Sequence, residues 1–276
     1  MKPKNKYPMS GEIEYNYNYK IRTSIIINYF TSLETMKKTI NNLRCLGSEV
    51  EIIVNNDKFG KDTDSILEVL NQKNDRIIIS KDLGERRGYH HGAGISNASE
   101  FLIFAQDDDL APDNNQWYLD CLKEFNKDKK LGMIGLLKGG LNYGLPNKIT
   151  YHDEYKKRYV SWLATGPLMI RKDLYFKIGG WSKEYSQVGE ADGGADADLA
   201  TKVYFLKYKS MLLRTNSVKE WKRRFERGDN LIGDDLKKLR PNVYKRIDLN
   251  YKIYVNKYKK TIHSLNKIIQ NYNLLL

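Results

Sequence analysis

The chain predicts an α/β fold built on a mainly parallel central sheet, and three observations carry that expectation. Short β-branched runs alternate with amphipathic helical stretches, acid or amide side chains stand at the ends of those runs, and glycines punctuate the connections. Thr23 to Asn28 is the first apolar run. Thr31-Ser32-Leu33-Glu34 then has capping-box form, ahead of Leu33, Met36, Ile40 and Leu43 at 3,4 spacing and a closing Gly47. Glu51 to Val54 reads as a second strand ending in Asn55-Asn56-Asp57, Ser65 to Leu70 as a helix, and Arg76 to Ser80 as a third strand. A sheet of this kind takes its ligands outside the carboxyl ends of its strands, where Asp57 and Asp107 both fall.

The length of 276 residues, with 41% apolar and 12% aromatic side chains, is enough for a sizeable core in one large α/β domain or two small ones. Cys45 and Cys121 lie far apart in no metal or redox spacing, which argues against a disulfide framework and for a reducing compartment. Met1 to Lys20 is polar and lacks the apolar core of a signal peptide, and no apolar run approaches the roughly 20 residues of a membrane span. The expected location is cytoplasmic, either soluble or peripheral to a membrane. The net charge of +13 is uneven: residues 202–276 hold 19 Lys and Arg against 6 Asp and Glu, and the rest of the chain is neutral. A polyanionic partner is therefore expected at the C-terminal quarter, although an AT-rich genome explains Lys, Asn, Ile and Tyr richness equally well.

The most informative segment is Asp107-Asp108-Asp109, directly behind the apolar strand Phe101 to Ala105. On an extended backbone Asp107 and Asp109 point to one side. Hard oxygen ligands of this kind suit Mg²⁺ or Mn²⁺ carrying substrate phosphates. The competing reading is a solvated acidic turn, because Asp is common where strands end. Upstream, Gly84 to Gly94 is a glycine-rich loop containing Arg86, Arg87, His90 and His91, whose donors can accept phosphates. An ordinary glycine turn is the alternative there.

Further along lie Trp162 to Asp173, with Thr165-Gly166-Pro167 inside it, then Ile178-Gly179-Gly180-Trp181, then Ala195-Asp196-Ala197-Asp198-Leu199. In that order and at those separations the chain resembles the family 2 glycosyltransferases of the GT-A fold, over roughly residues 23 to 215. The resemblance implies a Rossmann-like, mainly parallel sheet with flanking helices and a C-terminal helical extension. It divides the chain into a polar segment 1–22, a nucleotide-sugar-binding half 23–130, an acceptor-binding half 131–215 and a basic extension 216–276. It implies a nucleoside-diphosphate sugar as co-substrate, UDP-sugar first among them, held at Asn28, Tyr29, Asn56, Asp57, Arg86, His91, Asp107 and Asp108. Mn²⁺ or Mg²⁺ would sit at Asp107 and Asp109, and Asp196 would be the general base of an inverting transfer. Trp162, Thr165, Gly166 and Trp181 would form the acceptor wall, with a glycan, lipid-linked or protein acceptor. Three departures stand out: Asn56 replaces a usual Asp, His91 a common Arg, and Ala195 a Glu, with Glu190 and Asp192 nearby as substitutes.

Residues 216–240 are charged and expected to be helical up to Pro241. Tyr251, Val255, Tyr258, Ile262, Leu265, Ile269, Tyr272 and Leu276 then recur at 4,3 spacing, which predicts one long basic amphipathic helix. Its stripe suits packing on its own domain, pairing with a second chain as a homodimer, or an anionic membrane surface. Two other functions compete. A metal-dependent phosphatase or nucleotidyltransferase also uses a strand-end Asp-x-Asp, but the haloacid-dehalogenase-like motif needs Thr where Ala111 stands and lies on the first strand. Nucleic-acid binding through the basic quarter lacks any recognised reading motif.

Overall fold

The computed structural model describes residues 20–70, 72–141, 150–151, 156–186, 188, 195–222, 242–274 and 276. The expected helix over 216–240, the substitutes Glu190 and Asp192, and nearly all of the N-terminal segment fall wholly or mostly outside them.

The β-branched run forms β1 (Thr23–Tyr29), and the other early strands follow as expected: β2 (Val50–Asn56), β3 (Arg76–Ile79) and β4 (Phe101–Gln106). These four pair in parallel, in the order β3-β2-β1-β4. Registers match Tyr29 with Asn56 and Asn28 with Gln106, so three strands end along one edge. The sheet continues through β10 (Leu168–Arg171), β5 (Leu131–Gly135), β11 (Lys209–Leu213) and β8 (Lys157–Tyr159). β10 runs antiparallel between β4 and β5, which makes the sheet mixed on this side. A second small sheet holds β6 (Gly139–Leu141), β7 (Thr150–Tyr151) and β9 (Trp162–Leu163).

Helices cover both faces because the strands alternate. Ile25, Ile27 and Tyr29 pack with Met36 and Ile40 of α1 (Leu33–Leu43) and with Trp117 and Phe125 of α4 (Gln116–Lys127). Ile26 faces the other way, onto Tyr89 and Ala93 of α3 (Glu85–Ile95) and the core that includes α6 (Ala195–Phe205). α2 (Thr63–Val69) and α5 (Lys172–Lys177) complete the α/β part. Gly88 lets α3 approach closely: a Cβ there would lie 2.1 Å from Asn28 Oδ1 and 2.5 Å from Asn55 Nδ2.

The C-terminal stripe forms two helices, α7 (Val243–Tyr258) and α8 (Ile262–Asn273), with a turn between them in place of one continuous helix. Tyr254, Tyr258 and Ile262 bury against the α6 side of the sheet, and Leu265 and Ile269 against the other core. The apolar stripe is therefore spent on its own domain, and neither the membrane nor the homodimer expectation finds support in it. Asn273 fixes the end of the chain by pairing its side chain with the backbone of Tyr159. Cys45 and Cys121 are both free thiols. Among the described residues no helix is long and apolar enough to cross a membrane.

Candidate active site

The acidic run does not continue the strand. β4 stops at Gln106, and the Asp109 N–H turns back to the Gln106 carbonyl at 3.2 Å. The turn separates the carboxylates that an extended backbone would have placed on one side. Asp107 reaches the loop after β1, where its Oδ2 accepts the backbone N–H groups of Phe30, Thr31 and Ser32 at 2.9, 2.6 and 2.8 Å. Burial raises its pKa above the ordinary aspartate value, the three amides oppose that, and Glu85 adds to it. The capping box expected at Thr31 and Glu34 does not form: Ser32 is the N-cap and makes no side-chain cap bond. The buried Asp107 carboxylate is the stronger acceptor, and it takes the Thr31 N–H that the box would have used.

Asp109 is fully buried, with Oδ2 accepting the Gln106 N–H at 2.8 Å. Gly166, at φ +77, lies directly over it, and a Cβ at that position would stand 2.4 Å from Asp109 Oδ2. Asp108, at the apex, is the most exposed of the three. Among the described residues no three His, Cys, Asp or Glu side chains group as a metal cage.

The end of β2 serves the neighbouring loops. Asp57, 2% exposed, accepts Ser80 Oγ and the Leu83 N–H at 2.7 Å and the Gly84 N–H at 2.9 Å, which pins the entrance to α3. Asn56 is fully buried and bonds Lys61 O, Thr63 Oγ1 and the Lys58 N–H, so it closes its own loop and does not reach the crevice. Asn28 Oδ1 accepts from Asn55 at 2.6 Å, and Tyr29 is buried with its hydroxyl on Asp62 Oδ2 at 2.6 Å. Burial first, then the bond to Asp62, pushes the Tyr29 phenol well above its ordinary pKa.

Across the crevice, α6 begins at Ala195 and presents Asp196. Its Oδ1 accepts Arg86 Nη2 at 2.7 Å and the Thr165 hydroxyl, while the Thr165 N–H reaches Oδ2 at 3.3 Å. Arg86 also pairs with Glu85 at 2.7 Å, and Glu85 accepts Gln106 Nε2 at 2.9 Å. A continuous polar bridge thus runs from the end of β4 to the start of α6, with the Arg86 guanidinium 4.6 Å from the Trp181 ring. Trp162 and Trp181 are both nearly buried, so they stand behind this bridge more than they face solvent. His91 lies exposed on α3.

Sequence reasoning missed Glu85 and Gln106. Both carried a signal: Glu85 follows the glycine that opens α3, and Gln106 is the last residue of the strand that leads into the acidic run.

No family profile matches the chain, and no curated protein matches it by sequence. Solved structures do match. GalNAc-T7 crystallised with UDP, GalNAc and Mn²⁺ aligns with a TM-score of 0.55 at 13% identity, over 72% of this chain and 43% of that one. Residues 1–349 of TarS from S. aureus in complex with UDP align at 0.54 and 14%, over 71% and 59%. This chain therefore spans about half the length of the structures it resembles. At such identities the likeness speaks for architecture alone, and the architecture of this chain is the GT-A glycosyltransferase fold.

Proposed function

We propose that the protein is a metal-dependent glycosyltransferase that moves a sugar from a nucleoside diphosphate, UDP first, to a glycan, lipid-linked or protein acceptor with inversion. The observation that carries this reading is the bridge Gln106–Glu85–Arg86–Asp196, which ties the acidic turn after β4 to a single carboxylate on the facing helix. Phosphatase and nucleotidyltransferase chemistry gains no comparable support.

The donor set fits a divalent cation of the Mg²⁺ or Mn²⁺ type. Such ions take one or two protein carboxylates and complete their shell with phosphate oxygens and water. The three bonds to Asp107 all fall on Oδ2, and Asp108 is partly exposed beside it. These two would hold the ion, and Asp109 joins only where the Gly166 segment above it moves aside. A bound cation would neutralise charge on the departing nucleoside diphosphate. The chain's own residues do the rest. Asp57 holds the loop that starts α3, Arg86 and Thr165 orient the Asp196 carboxylate, and Asp196 takes the proton from the acceptor hydroxyl as that oxygen attacks the anomeric carbon.

The test is acceptor-free hydrolysis of UDP-, GDP- and dTDP-sugars with Mn²⁺ or Mg²⁺. One donor should release its nucleoside diphosphate only when metal is present. Absence of both hydrolysis and metal-dependent nucleotide binding across all three would overturn the reading.

A further inference from the structure

A cavity of about 120 Å³ opens between α3 and the segment Trp181 to Ser186, with Arg86 in its lining. Arg86, Arg87, His90 and His91 come to one flank of α3 because positions i, i+1, i+4 and i+5 lie together, while Gly88 and Gly92 face the sheet. Lys183 faces them from the opposite wall. None of the lining side chains is acidic. Arg86 is matched by Glu85 and Asp196, but among the described residues neither Arg87 nor Lys183 pairs with a carboxylate. Arg87 instead donates Nε and Nη2 to the Ser186 carbonyl at 3.2 and 3.0 Å, which turns its guanidinium along the wall.

Two more observations point to a ligand. Ser186 is fully buried and lines the cavity, and its hydroxyl has no hydrogen-bond partner among the described residues. Buried hydroxyls are nearly always satisfied, and a bound acceptor atom would satisfy this one. His90 is also held below the ordinary imidazole pKa, first by burial and then by the charges of Lys183 and His91. Positive potential in this cavity thus lacks a counter-charge.

We propose that the cavity binds a compact oxyanion, a phosphate group carried by the acceptor, next to Asp196. The acceptor half of this inference rests on the glycosyltransferase reading. A phosphate ester of charge about −1.5 to −2 matches the unpaired Arg87 and Lys183, and it can accept from Ser186 and the imidazoles at once. Arg86, stacked on Trp181 and bonded to Asp196, lines the cavity and so sets it beside the proposed base.

The test follows the histidine ring signals of the full-length protein by NMR while inorganic phosphate is added at constant ionic strength. Of the described histidines, His90 and His91 line the cavity and His263 does not. The signals of His90 and His91 should shift saturably while that of His263 does not. Arg87→Gln with Lys183→Gln should weaken phosphate affinity by about tenfold or more. Lys183→Gln alone, at an exposed position, should weaken it in the same direction should the double variant fold poorly. Absence of saturation, or equal affinity in the variants, would overturn the proposal.

Saturating nucleoside diphosphate and Mg²⁺ are then added. Phosphate that stays bound supports an acceptor-side site, and phosphate that is displaced assigns the cavity to the donor and overturns the proposal. Calorimetry of the nucleotide alone tests the glycosyltransferase reading separately. Phosphate binding with no metal-dependent nucleotide heat would overturn the acceptor assignment while leaving the oxyanion site.

Discussion

Asp107→Ala is expected to lower the stability of the whole protein as well as its affinity for nucleotide. Three backbone N–H groups, of Phe30, Thr31 and Ser32, converge on one carboxylate oxygen at 2.9, 2.6 and 2.8 Å. A hydrogen bond to a charged group contributes about 1.5–3 kcal/mol. The three do not add, since they share one oxygen and water can replace the acceptor at the exposed Thr31. A net loss of about 3 kcal/mol is the working figure, against a total of about 5–15 kcal/mol for a typical domain. Asp107→Asn keeps an oxygen acceptor and should lose about half as much. Asp108→Ala, at the turn's partly exposed apex, should change stability by about 0.5 kcal/mol or less, yet share the loss of metal-dependent nucleotide binding. Urea unfolding of the three variants gives the stabilities, and calorimetry with nucleoside diphosphate and Mn²⁺ gives the affinities. An unfolding midpoint for Asp107→Ala equal to that of the parent would refute the loop-holding role. Metal-dependent affinity unchanged in both Ala variants would refute the cation assignment.

Asp196→Asn should keep donor affinity and lose transfer by about 10²- to 10⁴-fold, which single-turnover kinetics with a found acceptor would measure. Gly88→Ala should cost about 1–3 kcal/mol in chemical denaturation, because its methyl would stand where Asn28 bonds Asn55. Deleting residues 242–276 should give insoluble or unfolded protein by sedimentation, since Tyr254, Tyr258, Ile262, Leu265 and Ile269 are all buried against the domain. Burial pushes the Asp198 carboxyl up, but Lys202, Ser182, Lys257 and Tyr258 outweigh it and hold its pKa below the ordinary 3.8. That stabilisation is complete above pH 3.8 and is lost as pH falls through the folded value, so Asp198→Asn should be less stable at pH 7 and show a shallower acid slope below about pH 4.

The early strands were legible because β-branched runs such as Ile25 to Ile27 bury on both faces of a parallel sheet. The tail was legible as a stripe but not as to its partner. Periodicity reveals that Tyr258 and Ile262 share a face, yet not which surface covers it, and it missed the break at Lys259 to Thr261. The acidic run was legible as the end of a strand and misread in geometry, since the turn at Asp107 and Asp108 replaces strand alternation and sends Asp107 and Asp109 to different neighbours. Arg86 was anticipated as a phosphate donor. Its pairing with Asp196, 110 positions away, depends on α3 and α6 covering the same face of the sheet, a tertiary contact without a local trace.

The spacing of Asp196 and Asp198 explains how the basic tail bears on the crevice without touching it. Two positions on a helix differ by about 200°, so the carboxylates of α6 point to opposite sides. Asp196 faces Arg86 and Thr165, whereas Asp198 is fully buried and accepts from Ser182 at 2.5 Å, Lys257 at 2.9 Å and Tyr258 at 2.7 Å, with Lys202 at 3.2 Å. Ser182 belongs to the segment that also supplies Trp181, and Lys257 and Tyr258 belong to α7. One buried carboxylate therefore fixes the rotation of α6, the Trp181 segment and the tail together. Arg246 and Asn250 of α7 add bonds to the carbonyls of Glu184 and Tyr185 in the same segment. The excess positive charge of the C-terminal quarter is thus partly internal: Lys257 serves as the counter-ion of a buried acid and of Glu184, which accounts for its raised pKa against the opposing effect of burial.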